Sequence, residues 1–192
     1  MVAVMATSIV TFAQKEIFQP NEFGVCEFVY EYNPADDAAT LYKKAKAWLS
    51  SANMNWIATN DVQNQEIAFN AYFNTATRYN PFAGAFTQDL SLSGLFKIAD
   101  NNIQLVLNNM RVTETYAGYG MKKTETTIED KMKDLEEAYK ILQNGVDPSL
   151  SKKQQKELKE AAKETVEDVE DVLTKAGEEL QIRFTKLNNM FQ

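Results

Sequence analysis

Histidine is absent from the 192 residues, and cysteine occurs once, at Cys26. The first absence removes the serine–histidine–aspartate and cysteine–histidine nucleophile arrangements. It also removes the usual zinc sites and the side chain best suited to proton transfer near neutral pH. The second removes an internal disulfide and any Cys-x-x-Cys site, and a single buried thiol suits a reducing or an oxidising compartment equally. Positive charge is also in short supply. Twenty Lys and Arg stand against 27 Asp and Glu, for a net charge of −7 and a pI near 4.8. Such a field repels a nucleic-acid backbone, which needs clustered Lys and Arg. No apolar run reaches the roughly 18 residues of a membrane-spanning helix. What remains is ordinary: 44% hydrophobic and 24% charged residues, enough for one domain with a real core, or one domain plus an appendage.

The chain opens MVAVMATSIVTFAQ. Val2 to Phe12 is mostly apolar and ends in Thr11-Phe12-Ala13 before Gln14, the pattern of a secretory h-region and its cleavage site. No Lys or Arg precedes the run, and Thr11 replaces the usual small residue three before the cut. The alternative is an edge strand or N-terminal helix packed on the domain. Export is the expectation, with residues 1–14 as a signal peptide and a periplasmic or secreted location. A lipoprotein signal is disfavoured, because Val25 before Cys26 is too large and the preceding segment is charged.

The run FGVCEFVYEY alternates with period two, setting Cys26, Phe28, Tyr30 and Tyr32 on one face, which predicts a half-buried strand. Asn33-Pro34-Ala35-Asp36-Asp37 predicts a helix start with Asn33 as cap. Ala38, Leu41, Tyr42, Ala45, Trp48 and Leu49 form its apolar stripe. Trp56–Thr59 predicts a short strand, and Ile67, Phe69, Ala71 and Phe73 a clean one. The stretch TATRYNPFAG is expected to be a loop. Leu90, Leu92, Phe96 and Ile98 alternate beyond it, with Gly94 suggesting a bulge or bend. Asp100-Asn101-Asn102 is a turn, and Ile103, Leu105 and Leu107 lie on the partner strand, which runs to about Thr113. A second loop is expected at TYAGYGMKKT.

Helices follow. Thr126-Thr127-Ile128-Glu129 resembles a capping box, and Ile128, Met132, Leu135, Tyr139 and Leu142 continue as a stripe to Gly145. Ser151 and Gln154 offer a second cap. The helix after it is expected to run about forty residues, with a stripe of Leu158, Ala162, Val166, Val169, Leu173, Ala176, Leu180, Phe184, Leu187 and Phe191. The order predicts an α+β fold, β-α-β-β-β-β-α, with about five antiparallel strands, a packed helix, and a C-terminal long helix or helical hairpin.

The run LYKKAKAWLSSANMNW, residues 41–56, resembles a segment of a bacterial domain of unknown function with a fold like the TATA-box-binding protein. That domain occurs in secreted proteins of Gram-negative bacteria. Leu41, Tyr42 and Trp48-Leu49 occupy its Leu-Tyr and Trp positions. LFKIADNNIQLVL, residues 95–107, resembles its late hairpin, with Ala99-Asp100-Asn101-Asn102 where the family often carries Lys-Asp-Gly-Arg. The resemblance covers roughly residues 16–120, implies the TBP-like fold and favours export, and brings no catalytic residues. A sheet of this shape can bind DNA on its concave face. Residues 1–120, however, hold seven basic and eleven acidic residues, which argues against it here.

Four features remain as candidate sites. Glu164, Glu167, Asp168, Glu170 and Asp171 fan outward on a helix and are expected to be a solvated face rather than a metal cluster. Asp36-Asp37 and Glu136-Glu137 are adjacent pairs that do not converge on a substrate. The aromatics Tyr79, Phe82, Tyr116 and Tyr119 lie in the expected loops, among Gly, Pro and Asn, and form a possible interaction surface. Val169, Leu173, Leu180 and Leu187 form a second one, since the final stripe outruns the 128–142 helix and needs the sheet or a second chain to cover it. The resulting picture is a signal peptide at 1–14, a TBP-like α+β domain at 15–120 and a helical region at 121–192. It is expected to be a non-enzymatic, exported binding or interaction module with no cofactor, metal or nucleic acid, partnered or self-associated through the last helix. The alternative is a carrier of a small apolar ligand held between sheet and helix.

Overall fold

The computed structural model describes residues 21–22, 24–51, 55–61, 65–80, 84–118 and 120–191. The opening stretch, and with it the expected signal peptide, lies outside the described residues.

The first strand is β1 (Phe28–Tyr32), with Phe28, Tyr30 and Tyr32 half-buried and Val29 and Glu31 exposed, as the alternation predicts. Helix α1 (Ala38–Ser51) buries Ala38, Leu41, Ala45, Trp48 and Leu49. Its cap is Asp37, not Asn33. The Asp37 Oδ1 accepts the Thr40 N–H at 2.7 Å, so the Asn-Pro-Ala-Asp segment is a lead-in rather than the first turn.

Strands β2 (Asn55–Asp61), β3 (Glu66–Asn80), β4 (Gly84–Ala99), β5 (Asn102–Gly118) and β6 (Gly120–Thr127) follow. All pairings are antiparallel, in the order β1-β5-β4-β3-β2, with β6 also on β5. Two expectations are corrected here. The stretches expected as loops, 75–84 and 115–124, are mostly strand. Their Thr, Tyr and Phe residues pair in register, Arg78↔Phe86↔Tyr116↔Lys122, into a four-stranded ribbon. The region after residue 120 is therefore not wholly helical, because β6 extends to Thr127. Local turn residues were visible in the sequence, but cross-strand partners, as far apart as Phe86 and Tyr116, were not.

Strand β5 serves two neighbours in succession along one edge. β1 covers Ile103–Leu107 and β6 covers Arg111–Gly118. At the changeover, Asn109 has φ of 50°, and Asn109 and Met110 together oppose Leu92. A second irregularity inserts Thr75 between the Asn74↔Asp89 and Ala76↔Gln88 pairs. Bulges of this kind bend a strand and raise its twist. The ladder is regular at Gly94, which pairs with both Phe69 and Leu107, so the bulge or bend expected there is instead a bulge on β5, at Asn109–Met110 opposite Leu92.

Helix α2 (Ile128–Asn144) is capped by Thr127, whose Oγ1 accepts the Asp130 N–H at 3.1 Å. The expected box at Thr126 is thus shifted by one residue. Glu129 instead accepts the Cys26 N–H at 2.8 Å, tying α2 to the strand end. Gly145, at φ of 81°, closes the helix. Helix α3 (Lys152–Phe191) has 40 residues and the Ser151–Gln154 reciprocal cap. Its stripe is buried at Ala162, Val169, Leu173, Ala176, Leu180, Leu187 and Phe191, with Val172 added and Leu158 exposed. The first half of α3 packs on α2. The second half packs on the sheet, where Phe191 meets Tyr32 at 5.6 Å between ring centroids and Arg183 lies 4.4 Å over the Phe73 ring. The chain's own sheet therefore covers the seam that outruns α2. One continuous core joins α1, the sheet, α2 and α3.

Candidate functional site

Beyond the Thr75 bulge, the ribbon turns one face toward the α2–α3 hairpin. Residues directly opposite across an antiparallel ladder share a face. Arg78, Phe86 and Tyr116 therefore line one row, and Ala76, Gln88 and Glu114 the next. Helix α2 contributes Lys131, and α3 contributes Asp168, Asp171 and Val172. Together they bound an open cleft of about 540 Å³, with Tyr79 at its rim. That volume lies within the range typical of small-ligand sites.

The cleft is polar and aromatic at once. Phe86 and Tyr116 pack at 4.8 Å between centroids, tilted by 48°. Tyr79 is 76% exposed and Tyr116 47%, large apolar area for residues on a regular ladder. The cations are each tied to a carboxylate: Arg78 to Asp171 at 2.9 Å, and Lys131 to Glu114 at 3.3 Å. Lys175 also reaches Asp171. Among the described residues Asp168 makes no ion pair. Burial pushes the Tyr116 hydroxyl above its ordinary pKa, and the negative charges of Glu114 and Asp168 push it further, partly offset by Arg78. The buried Gln88 is held by Thr75, whose Oγ1 donates to the Gln88 Oε1 at 3.0 Å and to its backbone oxygen at 3.1 Å. The bulge that bends the ribbon thus also fixes the cleft floor.

Two of the four aromatics singled out in the sequence, Tyr79 and Tyr116, meet at this cleft. Phe82 and Tyr119 lie outside the described residues. Val169, Leu173, Leu180 and Leu187 are buried within the chain itself and present no free surface. Phe86, Gln88, Glu114 and Lys131 were missed. The period-two spacing of Phe86 and Gln88, and of Glu114 and Tyr116, was the available signal, but these residues border or enter the stretches expected as loops, 75–84 and 115–124.

Two other places deserve comparison with the cleft. A pocket between sheet and helices, lined by Trp48, Phe69, Phe73, Leu107 and Leu180, holds only about 10 Å³. A depression of about 270 Å³ on the opposite sheet face is lined by Asn70, Tyr72, Ser91, Ser93, Asn109 and Arg111. No helix among the described residues is long and apolar enough to cross a membrane.

No family model matches the chain, and no curated protein matches it. Two solved structures are similar to it. A TBP-like protein from Parabacteroides distasonis is 13% identical, with 84% of this chain and 96% of that one covered at a TM-score of 0.43. A DUF4468 family protein from Bacteroides ovatus is 15% identical, with 83% and 88% covered at a TM-score of 0.41.

Proposed function

We propose that the protein is a non-enzymatic binding module, exported to the envelope of a Gram-negative bacterium, and that the ribbon–helix cleft is its binding site. The observation that carries the site is the exposure of Tyr116, packed on Phe86, in a cavity of about 540 Å³ with Tyr79 at its rim. Aromatic rings held on a rigid ladder offer contact area at low cost in side-chain entropy. A binding role is favoured over catalysis because the cations of the cleft are engaged with its carboxylates, and the chain has no histidine to move protons near neutral pH. The carrier alternative is disfavoured, since the pocket of about 10 Å³ between sheet and helices is about the size of one water. Assembly through the α3 seam is likewise disfavoured by its burial. Export rests on the apolar run Val2 to Phe12 and on the family resemblance.

A photo-crosslinking residue in place of Tyr79, compared with one in place of the exposed Lys153 on α3, tests the site in living cells. Adducts concentrated at position 79 are expected. Equal adduct yields at both positions overturn the assignment of the cleft. The intact mass of the protein from envelope and cytoplasmic fractions tests export. A chain beginning at Gln14 in the envelope is expected, and a full-length cytoplasmic chain overturns it.

A further inference from the structure

One carboxylate of the cleft is not engaged in an ion pair among the described residues, although Lys175 adds a third cation at Asp171. The lining carries Arg78 and Lys131 against Glu114, Asp168 and Asp171, and each cation already has a carboxylate partner. Asp168 is the carboxylate left over. It lines the same cleft as Tyr116 and Phe86, so an unengaged negative charge and an exposed aromatic ring face one cavity. Tyr116 in turn packs on Phe86, and Tyr79 stands at the rim.

We infer that the cleft's ligand is cationic: an arginine or lysine side chain presented by a partner polypeptide, its charge shared between Asp168 and the faces of Tyr116 and Phe86. This deepens the proposed function and rests on the cleft being the binding site. Three properties select this class. Aromatic rings attract a guanidinium or ammonium group through their negative faces. An unengaged carboxylate adds a charge-assisted hydrogen bond, which a neutral ligand forgoes. The whole chain carries −7, so a cationic partner is drawn in and an anionic one repelled. The engaged pairs shape the site rather than compete for the ligand. Asp171 is held by both Arg78 and Lys175, which keeps the Arg78 guanidinium directed at α3.

The test is a titration of the full chain, followed by amide NMR, with two synthetic peptides. One carries a single arginine in an otherwise neutral sequence, and the other carries citrulline, its neutral isostere, at the same place. The arginine peptide is expected to shift the amides of Phe86, Tyr116 and Asp168. The citrulline peptide should bind about tenfold more weakly or worse. Asp168→Asn should erase most of that difference, and Tyr116→Ala should weaken the arginine peptide alone. Because Asp168 is exposed, its replacement leaves the core intact. Equal affinity for both peptides overturns the cationic assignment while leaving the cleft as the site. Binding of neither peptide, or shifts confined to another surface, also overturns it. Crosslinking at position 79 reports separately on the cleft, so failure of the ligand class is distinguishable from failure of the site.

Discussion

The ring of Phe69 occupies the place a side chain at Gly94 would need. A Cβ built on Gly94 would stand 2.2 Å from the Phe69 Cζ. The two residues are direct cross-strand partners, and the Phe69 ring also packs against Phe96 at 5.7 Å and Trp48 at 6.4 Å. The glycine is there for the neighbour's ring, not for its own backbone. Gly94→Ala should therefore cost about 1–3 kcal/mol by overpacking. Pairing it with Phe69→Leu should recover part of the loss. Urea unfolding of the two variants measures this, and additive losses would show that the ring contact is not the cause.

The N-terminus of α1 depends on a distant turn. Asp100 Oδ1 accepts the Ala38 N–H at 2.9 Å, and the Asn101 N–H donates to the Asp36 carbonyl at 3.0 Å. Asp100→Ala should cost about 0.5–2 kcal/mol, the range for a lost helix cap. Hydrogen exchange at Ala38 should quicken more than exchange at Trp48. Asp100→Asn keeps an acceptor and should behave nearly as the parent chain.

Removal of α3 should unfold the protein rather than release a monomer. Leu180 is buried beside Trp48, Phe69 and Phe73, and Leu187 is wholly enclosed. Leu180→Ala should lose about 2–5 kcal/mol. Deletion of residues 147–192 should give an aggregating chain with lost near-ultraviolet circular dichroism. A soluble, folded fragment would show that the sheet does not need this helix.

Alkaline pH should weaken the fold. Burial pushes the Cys26 thiol up to about 12 from an ordinary 9.0, with Glu129 adding to it, and burial pushes Tyr30 up to about 12 from 10.0. Both groups are held neutral in the folded state. Their contribution is full below the unfolded pKa and is lost as pH rises from about 9 toward 12. The urea midpoint should fall over that window, and Cys26→Ala should flatten the decline. At pH 8, alkylation of Cys26 should track unfolding rather than proceed on the native protein.

Acid acts through the α1 cap. Side-chain and backbone hydrogen bonds from Thr40 hold the Asp37 carboxyl below its ordinary 3.8. Its contribution is present above that value and is lost as pH falls through the lower, folded one. Asp37→Asn should leave α1 capped but remove this part of the acid dependence. Exchange at the Thr40 amide between pH 5 and 2.5 reports it, and an unchanged profile would assign the dependence to other carboxylates.

Much of the frame could be read from spacing alone. Period two in Phe28–Tyr32 and Ile67–Phe73, period 3.6 in α1 and α3, and the Ser151–Gln154 cap are local signals. Each depends on neighbours within a turn or a strand. The sequence by itself also set the missing histidine, the lone Cys26 and the −7 charge, and so the chemistry that is ruled out. Tertiary structure decided the rest. Whether Thr75–Asn80 and Thr115–Gly118 are loop or ladder depends on their partners on neighbouring strands, up to 32 residues away for β4 with β5, and the pairing converts them into the ribbon. Whether the apolar seam of α3 faces a second chain or the sheet depends on where the sheet lies, and the sheet covers it. The cleft exists only because a bulge at Thr75 bends one pleated surface toward a helix that follows it by more than seventy residues. Periodicity fixes which face each residue joins. Which face meets which is settled by packing across the whole chain.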